Sequence, residues 1–222
     1  VKVLRRLGVD IDFPESQTCC GQPFFNGGYR NEASQLARHF VDTFSGDNYV
    51  IVPSGSCGSM VRSFYPELLK EDPEYLERAQ NIASRTYEFS EFLVNVLGVT
   101  DVGASFHGKV TYHDSCHLLR ELHVADQPRS LIRAVKGADF VEMDDSTSCC
   151  GFGGLFSVKY AHISTSIMEN KLKAIDASGA DAIVANDAGC LMHMSGAMGR
   201  MGMRAKPMHL AELLAHGKGG VK

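Results

Sequence analysis

Seven cysteines, at positions 19, 20, 57, 116, 149, 150 and 190, carry the most versatile chemistry in this 222-residue chain. Two pairs are vicinal and each is followed by glycine, in TCCGQPF (18–24) and SCCGFGG (148–154). An odd count with two vicinal pairs makes a poor disulfide framework. In a reducing compartment such a cluster serves metal binding or thiol catalysis instead. Vicinal side chains on an extended backbone point to opposite faces, so both thiols reach one site only where the chain turns sharply. Gly21 and Gly151 permit that turn, having no Cβ to oppose a positive φ, and Gly153 and Gly154 extend the same flexible cradle.

The elements that must hold these thiols are read from an internal repeat. Residues 18–60 align with residues 148–194: each reads CCG, a glycine-rich loop, an apolar-periodic helix, a short β-branched strand, then a turn with glycine and cysteine. Upstream, LRRLGVDIDF matches IRAVKGADFVEM, a helix end with a glycine cap followed by a strand. Downstream, EFSEFL matches HLAELL, a helical piece closing each half. The second half opens with KVTYHDSCHLLREL, a strand and then Cys116 at a helix start, 33 residues before Cys149. The same pattern in the first half places a strand and a fourth cysteine upstream of Val1, so about 20 further residues are expected there. Strands alternating with helices predict an α/β fold of two tandem, mostly parallel strand–helix repeats, 1–104 and 105–222. VTDVGASFHG reads as the linker, and PELLKEDPEYLERA as an acidic, solvated helical insert in the first repeat.

In open α/β sheets ligands gather beyond the carboxyl ends of the strands. Cys116, Cys149, Cys150 and Cys190 all follow strands of the second half, and Cys19, Cys20 and Cys57 fall at the corresponding edge of the first. Several precede or open helices, whose positive ends lower a thiol's pKa. Four thiolates from three loops suit an iron–sulfur cluster or a zinc ion. Structural zinc sites and dithiol redox pairs favour cysteines spaced as C-x-x-C, and that spacing is absent here. GFGG lacks the full spacing of a dinucleotide loop.

Composition excludes some partners. The net charge is −4, the pI is about 6.1, and no basic run offers a footprint for nucleic acid. FLVNVLGV and DAIVA fall far short of the ~18 apolar residues of a membrane span. No basic-then-apolar leader is visible. These features lead to the expectation of a cytoplasmic protein.

The paired CCG motifs, with Cys116 upstream and Cys57 and Cys190 some 37 to 40 residues downstream, resemble the cysteine-rich CCG domain. That domain occurs twice in the B-type chain of heterodisulfide reductase, in the iron–sulfur chain of glycolate oxidase and in the lactate utilisation protein A family. TCCGQPFFNGGY, VPSGSCGSMV, YHDSCHLLREL and SCCGFGGLFSVK are most similar to the last of these, over essentially the whole chain. The resemblance implies iron–sulfur binding and electron transfer in the oxidation of L-lactate to pyruvate, with B- and C-type partner proteins. Where the fuller domain pattern ends in C-x-x-C, this chain has CGSM and CLMH. A four-thiolate [4Fe–4S] site on Cys116, Cys149, Cys150 and Cys190, with Gly151 in the cofactor-binding turn, therefore fits better than a five-thiolate one. Cys19, Cys20 and Cys57 form what this chain retains of a second site. A heterodisulfide-reductase-like thiol–disulfide oxidoreductase and a zinc-stabilised scaffold are the alternatives.

His113 and His117 flank Cys116, and His193 follows Cys190; any of them could tune or ligate a metal, or simply make hydrogen bonds. Asp114 and Asp187 are read as caps of the following helices. Arg120 and Lys159 either offset an anionic site or lie on a solvated face. The late methionines in CLMHMSGAMGRMGM suggest a packing surface or a subunit interface, compatible with an oligomer. No Ser–His–Asp or paired-carboxylate arrangement and no nicotinamide or flavin fingerprint assigns a catalytic residue.

Overall fold

Two parallel sheets organise the chain, whose computed structural model describes residues 1–217. In the first half, β1 (Val50–Val52) pairs in parallel with β2 (Thr86–Glu88). In the second, β3 (Ser105–Tyr112), β4 (Lys136–Phe140), β5 (Ala182–Ala185) and β6 (Lys206–His209) form a parallel sheet in the order β4-β3-β5-β6. β5 is buried along its whole length, as the run Ala-Ile-Val-Ala of an inner parallel strand requires. Strand order reverses between β3 and β5, which makes their carboxyl ends the place for a ligand crevice.

The repeat is visible in three dimensions. β1, the helix Gly55–Ser59 that carries Cys57, β2 and the helical segment from Phe89 correspond to β5, the helix Ala188–Met201 that carries Cys190, β6 and the helix Leu210–Ala215. Both closing helices begin with a capping box, Glu88 with Glu91 in the first half and His209 with Glu212 in the second. The halves share one apolar core: Val3, Leu93 and Val102 pack in the same cluster as Val110, Val184 and Leu213.

Three local expectations need correction. Residues 9–13 are not a strand, although they align with β4. β4 exists because it pairs with β3, and no strand lies within residues 1–49 to play that part. The stretch read as a linker, 99–108, already contains the start of β3 at Ser105. The acidic insert is helical over Tyr65–Leu68 and Pro73–Ser84, but it is not simply solvated: Tyr65, Leu69, Ala79 and Ile82 bury one side of it against Val41 and Met60.

Candidate metal centre

Each CCG motif makes the expected turn. Gly21 has φ +84° and Gly151 has φ +88°, and a helix starts directly after the first turn and at Leu155 after the second. At Gly151 the chain lies so close to the helix Ala161–Ala177 that an added Cβ would sit 2.5 Å from the Ser164 carbonyl oxygen. The Ser164 hydroxyl donates to the Gly151 carbonyl at 2.8 Å and ties the turn to that helix. In the first half, the buried Tyr65 hydroxyl donates to the Cys20 carbonyl at 2.9 Å. Neither tether was legible in the motif itself.

The four second-half cysteines are brought together from the ends of β3, β4 and β5. Cys149 interacts with Cys116 and with Cys150, and Cys150 in turn with Cys190. The Gly151 N–H also points at the Cys149 sulfur, at 3.3 Å. The thiols alternate in acidity along this row. Cys116 is pushed up by its contact with Cys149, and Cys150 by its contacts with Cys149 and Cys190. Cys149 is drawn far below the ordinary thiol range by its contacts with Cys116 and then Cys150. Cys190 is lowered to about 6, chiefly by the Cys150 thiol. Thiolates crowded together repel strongly at short range, so these four sulfurs cannot all ionise unaided. A metal centre removes the conflict by letting every sulfur ionise.

The first half repeats the pattern on a smaller scale. Cys20 Sγ lies 3.3 Å from Cys57 Sγ, a thiol contact and not a disulfide. The contact holds Cys57 down at about 7 and pushes Cys20 up. Cys19 is exposed. Cys57 lies in the first turn of its helix, where its N–H donates to the Ser54 hydroxyl at 3.4 Å. Ser54 also donates to Asp187 Oδ1 at 2.8 Å, and the Ser56 N–H donates to the same oxygen at 3.0 Å. Asp187 thus joins the ligand loops of the two halves, and at Ala188–Met201 it makes no side-chain cap, contrary to expectation. Asp114 is likewise no cap. Its carboxylate is buried and held bidentately by Arg129 at 2.6 and 2.7 Å.

The histidines and cations sort unequally. His193 Nε2 is 3.2 Å from the Ser164 hydroxyl, which places it behind the Gly151 turn. His117 Nδ1 is 3.7 Å from Cys116 Sγ. His113 is 1% exposed, and a ring nitrogen of it lies with the sulfurs of Cys150 and Cys190 inside a 4.8 Å group. Arg120 and Lys159 are on the surface. The cation that faces the site is Lys171, which sequence reasoning passed over inside an ordinary helix. It is 1% exposed, donates to the Asp145 carbonyl and to the Ser146 carbonyl at 3.1 Å, and is lowered to about 8 by burial. Met194 and Met198 belong to the core, whereas Met192 and Met201 are exposed, so only part of the methionine cluster is surface.

Among the described residues no helix is long and apolar enough to cross a membrane. The family model for the cysteine-rich CCG domain matches residues 1–62 and 110–195, one block around each CCG turn. Lactate utilization protein A of Bacillus subtilis is 46% identical over 214 residues, covering 96% of this chain and 90% of that protein. The protein of the same name from Oceanobacillus iheyensis is 45% identical over 222 residues, covering 100% and 91%. That from Geobacillus thermodenitrificans is 46% identical over 216 residues, covering 97% and 90%.

Proposed function

The chain belongs to the lactate utilization protein A family of cysteine-rich CCG proteins, and from that premise we propose that it is the iron–sulfur electron-transfer subunit of a system oxidising L-lactate to pyruvate. Cys116, Cys149, Cys150 and Cys190 hold one [4Fe–4S] cluster, and Cys19, Cys20 and Cys57 belong to a second site. The chain divides near residue 104 into the two repeats that carry them. The observation that carries the reading is the convergence of four cysteines from three strand ends on one place, where the sulfurs of Cys150 and Cys190 lie within 4.8 Å of each other and are buried.

Bound there, a cluster accepts and releases one electron at a time. The residues of the chain set its surroundings. Cys150 and Cys190 are buried, so solvent is kept from that side of the centre. The Gly151 N–H and the Lys171 ammonium supply positive ends toward the sulfurs of Cys149 and Cys150, which stabilises added negative charge. The step that takes a hydride from lactate belongs to the B- and C-type partners, in the cytoplasm, where reduced thiols persist.

A zinc ion on His113, Cys150 and Cys190 is the second reading, favoured by the Cys₂His donor set. It leaves Cys116 and Cys149 without a role. The functional test mixes the anaerobically purified chain with its B- and C-type partners and adds L-lactate. Bleaching of the visible cluster absorption, with pyruvate formed, is expected; a spectrum indifferent to lactate would overturn the electron-transfer role.

A further inference from the structure

Among the described residues Lys171 is the one buried lysine, in the middle of the helix Ala161–Ala177. Its ammonium donates to two carbonyls of a single loop, those of Asp145 and Ser146. That loop leads directly into Cys149 and Cys150, and it is held in an uncommon shape, with Asp145 at φ +55°. The Ser146 carbonyl also accepts from the Asp114 N–H at 3.1 Å. A buried charge is costly unless an opposite charge meets it, yet among the described residues no carboxylate forms an ion pair with Lys171. Asp114, the buried carboxylate that acts on it, is already taken bidentately by Arg129, and the side chain of Asp145 is exposed. The further groups that act on the ammonium are the sulfurs of Cys150 and Cys149. Burial lowers the group only to about 8, so it stays charged at neutral pH. The first repeat is built differently at this place. Gly21 rests against Ala33 and Leu36 as Gly151 rests against Ser164 and Ile167, which aligns the two helices. About two turns further along, where the second repeat has Lys171, the first has Phe40, packed on Phe44 and Tyr65.

We propose that Lys171 is the counter-ion of the second-half centre, a positioning residue that fixes the loop before Cys149 and Cys150 and makes that centre easier to reduce. The inference rests on the iron–sulfur reading above. Four thiolates leave a cluster net negative, and reduction adds one further negative charge. A cation fixed in a poorly solvated surrounding favours the more negative state and so raises the reduction potential. The same charge complementarity explains why an ammonium is kept in the interior with carbonyls and not a carboxylate around it. With Phe40 at the matching position of the first half, this bias falls on the second-half centre alone.

The test uses the anaerobically purified full chain, with iron and acid-labile sulfide measured first. Lys171→Gln removes the charge and keeps a donor, Lys171→Arg keeps both, and Lys159→Met on the surface is the control. Redox titration of the visible cluster absorption is expected to give a lower potential in Lys171→Gln, with iron and sulfide retained. Lys171→Arg and the control should titrate with the unmodified chain. Normal iron and sulfide with an unchanged potential in Lys171→Gln overturns the inference and leaves the cluster reading intact, as does an equal fall in Lys171→Arg. A second measurement, made on the unmodified chain, stands even where a variant fails to fold. Nuclear magnetic resonance of the cluster-loaded chain grown with ¹⁵N-lysine, at neutral pH, is expected to show one ammonium signal protected from solvent exchange. A neutral amine in its place, or ammonium signals that all exchange freely, overturns the inference. Absence of iron and sulfide, or zinc in their place, overturns the underlying reading and the inference with it.

Discussion

Replacing Gly151 by alanine should be far more damaging than the same change at Gly21, although both glycines follow a cysteine pair and both have φ near +85°. A positive φ costs an L residue about 1–2 kcal/mol at either position. The surroundings then separate them. At Gly151 the new methyl would lie 2.5 Å from the Ser164 carbonyl oxygen, a backbone atom inside the helix Ala161–Ala177 that no side-chain rotation can move. Relief requires the turn to lift from the helix, which also strains the 2.8 Å bond from Ser164 to the Gly151 carbonyl, worth about 1 kcal/mol. At Gly21 the closest neighbours stand at 3.3 and 3.4 Å, ordinary to slightly tight contact. Gly151→Ala should therefore lose about 3 kcal/mol and Gly21→Ala about 1–2 kcal/mol. Urea unfolding of the metal-free, reduced protein reads this directly. With a slope of about 2 kcal/mol per molar urea, the Gly151 variant shifts its midpoint by roughly 1.5 M. Equal midpoints for the two variants would refute the claim that the second turn is clamped against its helix.

Three further outcomes can be checked alongside. Arg129→Ala leaves the buried Asp114 carboxylate without its bidentate partner, and should cost about 3–5 kcal/mol in the same unfolding assay; a loss below about 1 kcal/mol would show that water reaches Asp114. Burial raises Glu88 to about 7, so the stability it contributes is complete below its unfolded value near 4.5 and is lost as pH rises through 7. That amounts to about 3 kcal/mol, and Glu88→Gln should flatten the fall between these pH values; an unchanged slope would locate it in another group. Iodoacetamide at pH 6 should label Cys149 of the metal-free protein well before Cys150, because only the thiolate attacks and Cys149 is the acidic member of the pair. Equal rates, read by peptide mass spectrometry, would contradict the alternating acidity.

The repeat, the parallel α/β class and the gathering of Cys116, Cys149, Cys150 and Cys190 were legible because periodic strands, glycine turns and cysteine spacing are local signals. What escaped the sequence depended on partners distant in the chain. Residues 9–13 have the composition of a strand, but a strand needs a neighbouring ladder, and none lies in that part of the chain. Asp187 and Asp114 precede helices as caps do, yet Ser54, 133 residues away, and Arg129 claim their oxygens instead. Lys171 occupies an unremarkable helix position; only the packing of that helix beneath the Asp145–Ser146 loop turns it inward. His113 was one of three histidines near cysteines, and burial with unmatched nitrogens is what singles it out.

The most direct test of the metal centre is a count of iron and acid-labile sulfide in the anaerobically purified chain and in its Cys149→Ser/Cys150→Ser variant. A [4Fe–4S] site on the second half should give at least about four of each per chain, with about four of each lost in the double variant. Zinc without sulfide, or an iron content that the double substitution leaves unchanged, would contradict it.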